Sequence, residues 1–574
     1  MKKTFSVKIA GPAGYGIMEA GRILGESLSS LGFSSLVYPE YPSQIRGGDN
    51  VSLVTFSQDN ILVPSKGVDI LIALSSESLA LHSNEVEENG LLLVDEAVEI
   101  GEIRAIREIR GKKITRVPLT KAAQEIAGNP IARNTIALGM VFSISGLPSE
   151  SLEEQIRKAF ERKGKKVVSG NLRAVKKGFE LADDLKLKGK FKLGRSKRGV
   201  EYDLLSGNDA LAQGVIDAQC GYAAIYPMTP INSILTTLAG EQKKTGMIIF
   251  CPEDEISGIN SAVGASFAGK RAMVATSGGG FCLMAEGFGM AGASETPLVV
   301  IEGMRTGPSS GMATWTSQED LLFLINVSNG EFPRIILTPG DPEEAYRLTF
   351  EAFNLADIYQ LPVIVLTDKY LSESAFSGGE LKNKGEEGIG EIRGIREIEE
   401  KKDWRNYRRY EDTPSGISPR ALPGQTVFLT NSYVHDEEGF SIDDGKTRTK
   451  MKEKLFRKLE NFKKSGTRLY GSSKADITFV SFGSTKQAVL AAIKNLGQSG
   501  LKANFLHFFR PWPFPKEAKE VLRRAEKIVD VENNSTGQLA KLIRMETGIT
   551  VDQKILKDDG RPFFANEIVK QLVG

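Results

Sequence analysis

The sequence predicts an α/β protein with three doubly wound domains, each built on a mostly parallel sheet. Three observations point there. Apolar runs of strand length alternate with amphipathic stretches of helix length. Turn residues rich in Gly and Pro separate them. The rhythm lapses in charged, Gly-containing stretches and then resumes. A chain of 574 residues has room for several such domains.

Residues 1–185 form the first α/β unit. TFSVKIA reads as a strand, GPAGYG as a turn and MEAGRILGESLSSLG as an amphipathic helix, followed by the strands SSLVYP, VSLVTF, DILIAL and LLLVD. Residues 186–205 (KLKGKFKLGRSKRGVEYDLL) are basic and aperiodic and read as a linker, either a solvated connector or a patch for an acidic partner. Residues 206–425 form the second unit, with strands YAAIYP, MIIFCP, AMVATS, LVVIEG, RIILTP and PVIVLTD and a charged, Gly-rich excursion at 376–425. Residues 426–469 contain a connecting charged helix, KMKEKLFRKLENFKK. Residues 470–574 return to the α/β pattern through ADITFVSFGS, KANFLHFF and KIVDVEN.

Composition narrows the function. The chain is 41% hydrophobic and 25% charged, and 74 basic residues nearly cancel 72 acidic ones, which argues against a nucleic-acid binder working by bulk charge. Cys220, Cys251 and Cys282 form no CxxC pair, which excludes a disulfide framework or a four-thiolate cluster within the chain. His82, His435 and His507 are too scattered for an autonomous zinc site. No apolar run approaches the ~18 residues of a membrane span, and MKKTFSVKIAGPAG lacks a signal-peptide core, so a cytoplasmic protein is expected.

The chemistry is concentrated where strands of the second unit end. YAAIYP runs into Met228-Thr229-Pro230, MIIFCP into Glu253-Asp254-Glu255, AMVAT into Ser277-Gly278-Gly279-Gly280, and LVVIEG into Met304-Arg305-Thr306. In a parallel sheet these ends share one edge, where ligands bind. A hydroxyl, a carboxylate, an NH-rich turn and a guanidinium on one rim suit an anionic substrate beside a group needing a carboxylate partner. Each piece also has a plainer reading. Thr229 followed by Pro230 has the pattern of a helix N-cap with Pro at N1. Glu255 could compensate a helix dipole. Ser277–Gly280 could be an ordinary turn, and Arg305 a surface ion-pair partner. In the first unit, GPAGYG places Gly11, Gly14 and Gly16 off the dinucleotide spacing, so a structural turn is favoured over an NAD site.

The stretches SGNDALAQGVIDAQCGYAAIYPMTP, EDEISGINSAVGASFAGKRAMVATSGGGFCLMAEGFGMAGASETPLVVIEGMR and TGPSSGMATWTSQEDLLF resemble the α subunits of 2-oxoacid:ferredoxin oxidoreductases. The family's Tyr-Pro-Ile-Thr-Pro motif carries Met228 here, and its Ser-Gly-Pro-Gly loop carries Gly279 in place of Pro, which implies a more flexible loop. The N-terminal unit, with GPAGYG and YPSQIRGGDN, is similar to the family's γ module. The second resembles its pyrimidine-type thiamine diphosphate domain, and the C-terminal unit a transketolase C-terminal-like domain.

The resemblance implies a thiamine diphosphate enzyme. Glu255 would bond the cofactor's aminopyrimidine and serve in its acid–base work. Tyr226, Pro227 and Thr229 would line the cofactor. Thr229 and Arg305 would hold the 2-oxoacid carboxylate, with Ser277, Gly278 and Arg46 also facing substrate. The Gly-Asp-Gly segment expected for Mg²⁺ on the diphosphate does not occur, and Gly48-Asp49-Asn50, Asp443-Asp444-Gly445 and Asp558-Asp559-Gly560 only approach it. No metal site is therefore expected in this chain. The resemblance implies a separate β subunit bringing Mg²⁺ and a [4Fe–4S] cluster, in an αβ complex or its dimer. The implied reaction is oxidative decarboxylation of a 2-oxoacid of 2-oxoglutarate or pyruvate type with coenzyme A, giving acyl-CoA, CO₂ and reduced ferredoxin. An aryl-pyruvate substrate and a non-catalytic scaffold subunit are the alternatives.

Overall fold

This computed structural model describes residues 4–42, 48–61, 63–99, 113–193, 203–378, 381, 404–460, 462 and 464–573. They divide into two compact units, Met1–Leu205 with Glu373–Glu380, and Ser206–Ser372 with Leu381–Gly574. Much of the 376–425 excursion and of the 186–205 linker, together with Arg46, lies outside the described residues.

The first unit holds an eight-stranded sheet. From its central strand Thr4–Pro12, pairing is parallel on one side, through Val68–Ala73, Val86–Asp95 and Ile114–Val117. On the other side it is antiparallel, through Asp49–Ser57, Ser34–Glu40 and Ala375–Gly378. The reason lies in the connections: Ser34–Glu40 and Asp49–Ser57 are joined by a link too short for a crossover helix, so they must pair as a hairpin. In the GPAGYG turn, Gly14 and Gly16 have φ of 83° and 77°, which side-chain-bearing residues avoid. Gly16 thereby starts the helix Ile17–Ser30.

The second unit holds two sheets. The larger runs Ile335–Leu337, Pro362–Asp368, Leu298–Met304, Ala272–Thr276, Tyr222–Ile225, Ile248–Phe250, with every pair parallel. Its inner strands are buried on both faces, which is why Val363, Ile364 and Val365 form an unbroken apolar run at 0% exposure. The smaller sheet runs Thr467–Tyr470, Ala503–Phe508, Ile477–Phe482, Ile528–Glu532, Gln553–Leu556, with only its first strand antiparallel. Val274, Val300 and Ile364 share one apolar core with Val480, Leu506 and Phe508, so these two sheets pack as a single body. The Ile336 and Thr338 amides donate to the Trp512 and Phe509 carbonyls at 2.9 and 2.8 Å, stitching them edge to edge.

Candidate active site

Four adjacent strands of the all-parallel sheet (Ile248–Phe250, Tyr222–Ile225, Ala272–Thr276 and Leu298–Met304) end at the same edge, where the four sequence motifs begin. Parallel pairing alone produces this convergence.

After Tyr222–Ile225 the chain enters Tyr226-Pro227-Met228-Thr229-Pro230. Thr229 is not a helix cap. The helix begins at Asn232 with Ile231 at its N-cap, and no side chain caps it. Instead the Ile231 amide donates to the Met228 carbonyl at 2.9 Å, closing a turn ahead of the helix. Buried Asn208 donates from Nδ2 to the Pro230 carbonyl at 2.7 Å and to Ser233 Oγ at 2.8 Å, holding that turn from below. The Thr229 hydroxyl is thereby left without a structural hydrogen bond among the described residues, half-buried at the rim. Tyr226 and Pro227 are exposed beside it.

After Ile248–Phe250, Asp254 takes the N-cap of the helix Glu255–Phe267 and accepts from the Ser257 amide at 2.8 Å. That leaves Glu255 free of capping duty. Its side chain is turned inward, the residue only 3% exposed, and its Oε1 is buried with no hydrogen-bond partner. A buried carboxylate oxygen without a donor is costly unless something else supplies one.

After Ala272–Thr276 the three glycines are not a loop. Ser277 is the N-cap, and Gly278–Gly280 form the first turn of the helix Gly278–Ala293. Each glycine has a different reason. A Cβ on Gly280 would lie 2.1 Å from Thr276 Oγ1 and 2.6 Å from Glu255 Oε1. One on Gly278 would lie 2.5 Å from Asp320 Oδ2. One on Gly279 would meet only the Ser309 carbonyl at 3.6 Å. The expected extra flexibility of this loop is therefore corrected, because helical geometry already holds it. The position where the family carries Pro is also the roomy one, and the first helical turn tolerates Pro. Gly279→Pro is expected to fold and to gain about 0.5 kcal/mol through the unfolded chain, read as a raised denaturation midpoint. Gly280→Ala should displace Glu255 and cost about 10²-fold in kcat/KM. The Ser277 hydroxyl contacts Met228 Sδ at 2.6 Å, tying this strand end to the Tyr226–Pro230 turn.

After Leu298–Met304, Arg305 donates from Nη1 to the Thr229 carbonyl at 3.0 Å. Its guanidinium is half-buried. Burial weakens its hold on the proton, while Glu302 and Glu255 strengthen it. Thr229, Glu255, Ser277, Gly278 and Arg305 thus meet at one rim. Cys220 is buried, Cys251 and Cys282 are exposed, and all three are free thiols. Among the described residues no cluster of His, Cys, Asp and Glu is arranged to hold a metal.

Reading the sequence motif by motif misses Asn208, Glu302 and Asp320. Glu302 stands within the fully buried Leu298–Met304 run. A carboxylate inside an apolar strand is the signal that marks it.

A family profile described as pyruvate flavodoxin/ferredoxin oxidoreductase, thiamine diphosphate-binding, matches residues 213–450. One described as pyruvate ferredoxin/flavodoxin oxidoreductase matches 6–181, and one described as pyruvate:ferredoxin oxidoreductase core domain II matches 475–564. The chain is 33% identical to the 2-oxoacid:ferredoxin oxidoreductase 2 subunit alpha of Aeropyrum pernix, over 98% of this chain and 96% of that one. It belongs to the α subunits of the 2-oxoacid:ferredoxin oxidoreductases. The KorA subunit of 2-oxoglutarate synthase from Methanocaldococcus jannaschii is 34% identical over 58% of this chain and 89% of its own. The solved 2-oxoglutarate:ferredoxin oxidoreductase from Magnetococcus marinus, bound to 2-oxoglutarate, coenzyme A and succinyl-CoA, aligns with a TM-score of 0.89 at 28% identity. That alignment covers 100% of this α subunit and 99% of that chain. Among the described residues no helix is long and apolar enough to cross a membrane.

The α-subunit rim fits thiamine diphosphate on two observations. Glu255 Oε1 is a buried acceptor without a donor, and it is held against Gly280, where only the absence of a Cβ leaves room for the carboxylate.

Proposed function

We propose that this α subunit grips the 2-oxoacid and holds the proton-carrying carboxyl of a thiamine diphosphate-dependent oxidoreductase completed by a β subunit. The reaction is oxidative decarboxylation of a 2-oxoacid, of 2-oxoglutarate or pyruvate type, with coenzyme A, giving acyl-CoA and CO₂ and reducing ferredoxin. The observation that carries this reading is the unpartnered, buried Oε1 of Glu255. Thiamine diphosphate, when bound, supplies the nucleophilic carbon and the electron sink that decarboxylation needs. Glu255 would bond its aminopyrimidine, and Tyr226, Pro227 and Thr229 would line it. Arg305 and the Thr229 hydroxyl would hold the substrate carboxylate and orient its keto carbon. Ser277 and Gly278 would border the substrate. Mg²⁺ and the [4Fe–4S] cluster would come with the β subunit. The free thiols and the ferredoxin acceptor suit a cytoplasmic enzyme.

The β subunit would dock on the outward faces of the helices Glu255–Phe267 and Gly278–Ala293, where Ile256 and Leu283 are exposed. The small residues of EGFGMAGAS do not make that face. Gly287 packs on Ile259, Gly289 on Ser328 and Gly292 on Phe332, all within the chain.

Co-expression with a β subunit of the family, followed by a panel of 2-oxoacids assayed for CoA-dependent ferredoxin reduction, tests the reading. Turnover of 2-oxoglutarate or pyruvate is expected. A complex that assembles with bound thiamine diphosphate but reduces ferredoxin with no 2-oxoacid would overturn it in favour of a scaffold role.

A further inference from the structure

A cavity lies away from the rim, and the reaction as described does not use it. It encloses about 350 Å³ between the second half of the Gly278–Ala293 helix, the Gly445–Glu460 helix and residues 432–435. Eight residues of helix, about 12 Å, separate Gly278 at the rim from Glu286 at the cavity. Met290, Phe332, Val434, Met451 and Leu455 give it apolar walls. Apolar walls with a few placed polar groups, in a volume of this size, are the usual form of a small-molecule site.

One polar group in it stands out. His435 lines the cavity and is only 7% exposed. Its Nδ1 lies 2.9 Å from the Tyr433 carbonyl, which can only accept, so Nδ1 carries the proton. Burial favours the neutral ring and outweighs the Tyr433 carbonyl and Glu295, and Lys454 and Arg409 act with burial. In a neutral ring protonated at Nδ1, Nε2 is a bare acceptor. It has no hydrogen-bond partner among the described residues and is not sealed from the cavity. Tyr410 holds the ring in place, the two ring centres lying 3.8 Å apart. At the mouth, Glu286 from one helix and Arg448 from the other are exposed. Neither side chain has a hydrogen bond or ion pair among the described residues. The other two charges there hold each other, because Lys452 Nζ donates to the Glu331 carbonyl and stands 4.0 Å from its carboxylate. One charge of each sign is thus left over at the opening.

We propose that this cavity binds a free aromatic α-amino acid whose ring carries a hydrogen-bond donor, tryptophan or tyrosine. The ring fills the apolar walls, and its indole N–H or phenol O–H donates to His435 Nε2, the acceptor the protein leaves unanswered. At the mouth the ammonium group pairs with Glu286 and the carboxylate with Arg448. Each part of the ligand answers a different group of the cavity, and none of these groups serves the rim.

Isothermal titration calorimetry of the αβ complex with L-tryptophan, L-tyrosine and L-phenylalanine tests this. One saturable site per α subunit is expected for tryptophan or tyrosine. Phenylalanine fills the same walls but offers no donor, and should bind about tenfold more weakly than the better of the two. His435→Phe should abolish that preference while leaving turnover near that of the wild type, which shows that the variant is folded. Arg448→Met should weaken the amino acid about fivefold and leave the matching amine, tryptamine or tyramine, unaffected, because the amine lacks the carboxylate. Saturating 2-oxoglutarate or pyruvate should not displace the amino acid. Absence of saturable binding up to about 1 mM overturns the proposal. So does phenylalanine binding as tightly as tryptophan and tyrosine, an affinity that Arg448→Met leaves unchanged, or displacement by the 2-oxoacid, which would put the ligand at the rim.

Discussion

Glu255→Gln is expected to lower kcat by about 10³-fold while leaving assembly with the β subunit intact, the loss typical when a positioned acid–base carboxyl becomes an amide. The isosteric side chain keeps the helix start, because Asp254 rather than Glu255 caps it at 2.8 Å. It also keeps the contact with Gly280. Only the ability to exchange a proton at Oε1 is removed. Steady-state kinetics beside size-exclusion chromatography of the complex and a count of bound thiamine diphosphate decide the matter. Near-normal turnover with normal cofactor content would end the catalytic reading of Glu255. Loss of assembly would mean the residue acts structurally.

The second large effect concerns stability. Glu295 follows the Gly278–Ala293 helix in the left-handed region, at φ 52°. Its carboxylate receives Lys454 Nζ and Lys458 Nζ, each at 2.6 Å, from the helix Gly445–Glu460. Both lysines are buried, and Arg409 donates to the Glu295 carbonyl at 2.7 Å. Glu295→Ala would strand two ammonium groups in the interior and should cost about 3–5 kcal/mol, read as a lowered urea midpoint. Replacing Glu295, Lys454 and Lys458 together by Met removes the stranded charges and should recover most of that loss. If the triple variant is no more stable than Glu295→Ala, the loss comes from packing rather than charge.

The same cluster sets an acid limit. The neighbouring Lys458, Lys454 and Arg409 charges overcome the burial penalty and hold Glu295 down at about 2. A carboxylate whose folded value is depressed gives its stabilisation in full above its unfolded value, near 4.5. That contribution fades as pH falls from there to about 2, as the unfolded chain takes up the proton first. Thermal midpoints of the wild type should decline across this window, and those of the triple Met variant should decline less.

The convergence of Thr229, Glu255, Ser277 and Arg305 was legible in the sequence because it follows from a regular pattern. Apolar strand runs imply a parallel sheet, and a parallel sheet puts all its carboxyl ends on one edge. Whether Thr229 caps a helix could not be settled from the sequence, for an equally local reason. Thr followed by Pro before a helical pattern looks the same whether or not the helix starts there. Asn208, twenty-two positions from Pro230, decided the case by fixing the turn that precedes the helix. The glycine run could not be sorted from sequence either. Which of Gly278, Gly279 and Gly280 must be glycine depends on where Asp320, Ser309 and Glu255 come to rest.

By itself, then, the sequence determined the sheet architecture, the family and the rim that carries the chemistry, because these depend on periodicity and on motifs contiguous along the chain. Only the tertiary structure decided which lysines share a counter-ion. Glu295 meets Lys454 across 159 positions of the chain. Charge state in a protein interior is set by distance and by exclusion of water, and neither is written in residue order.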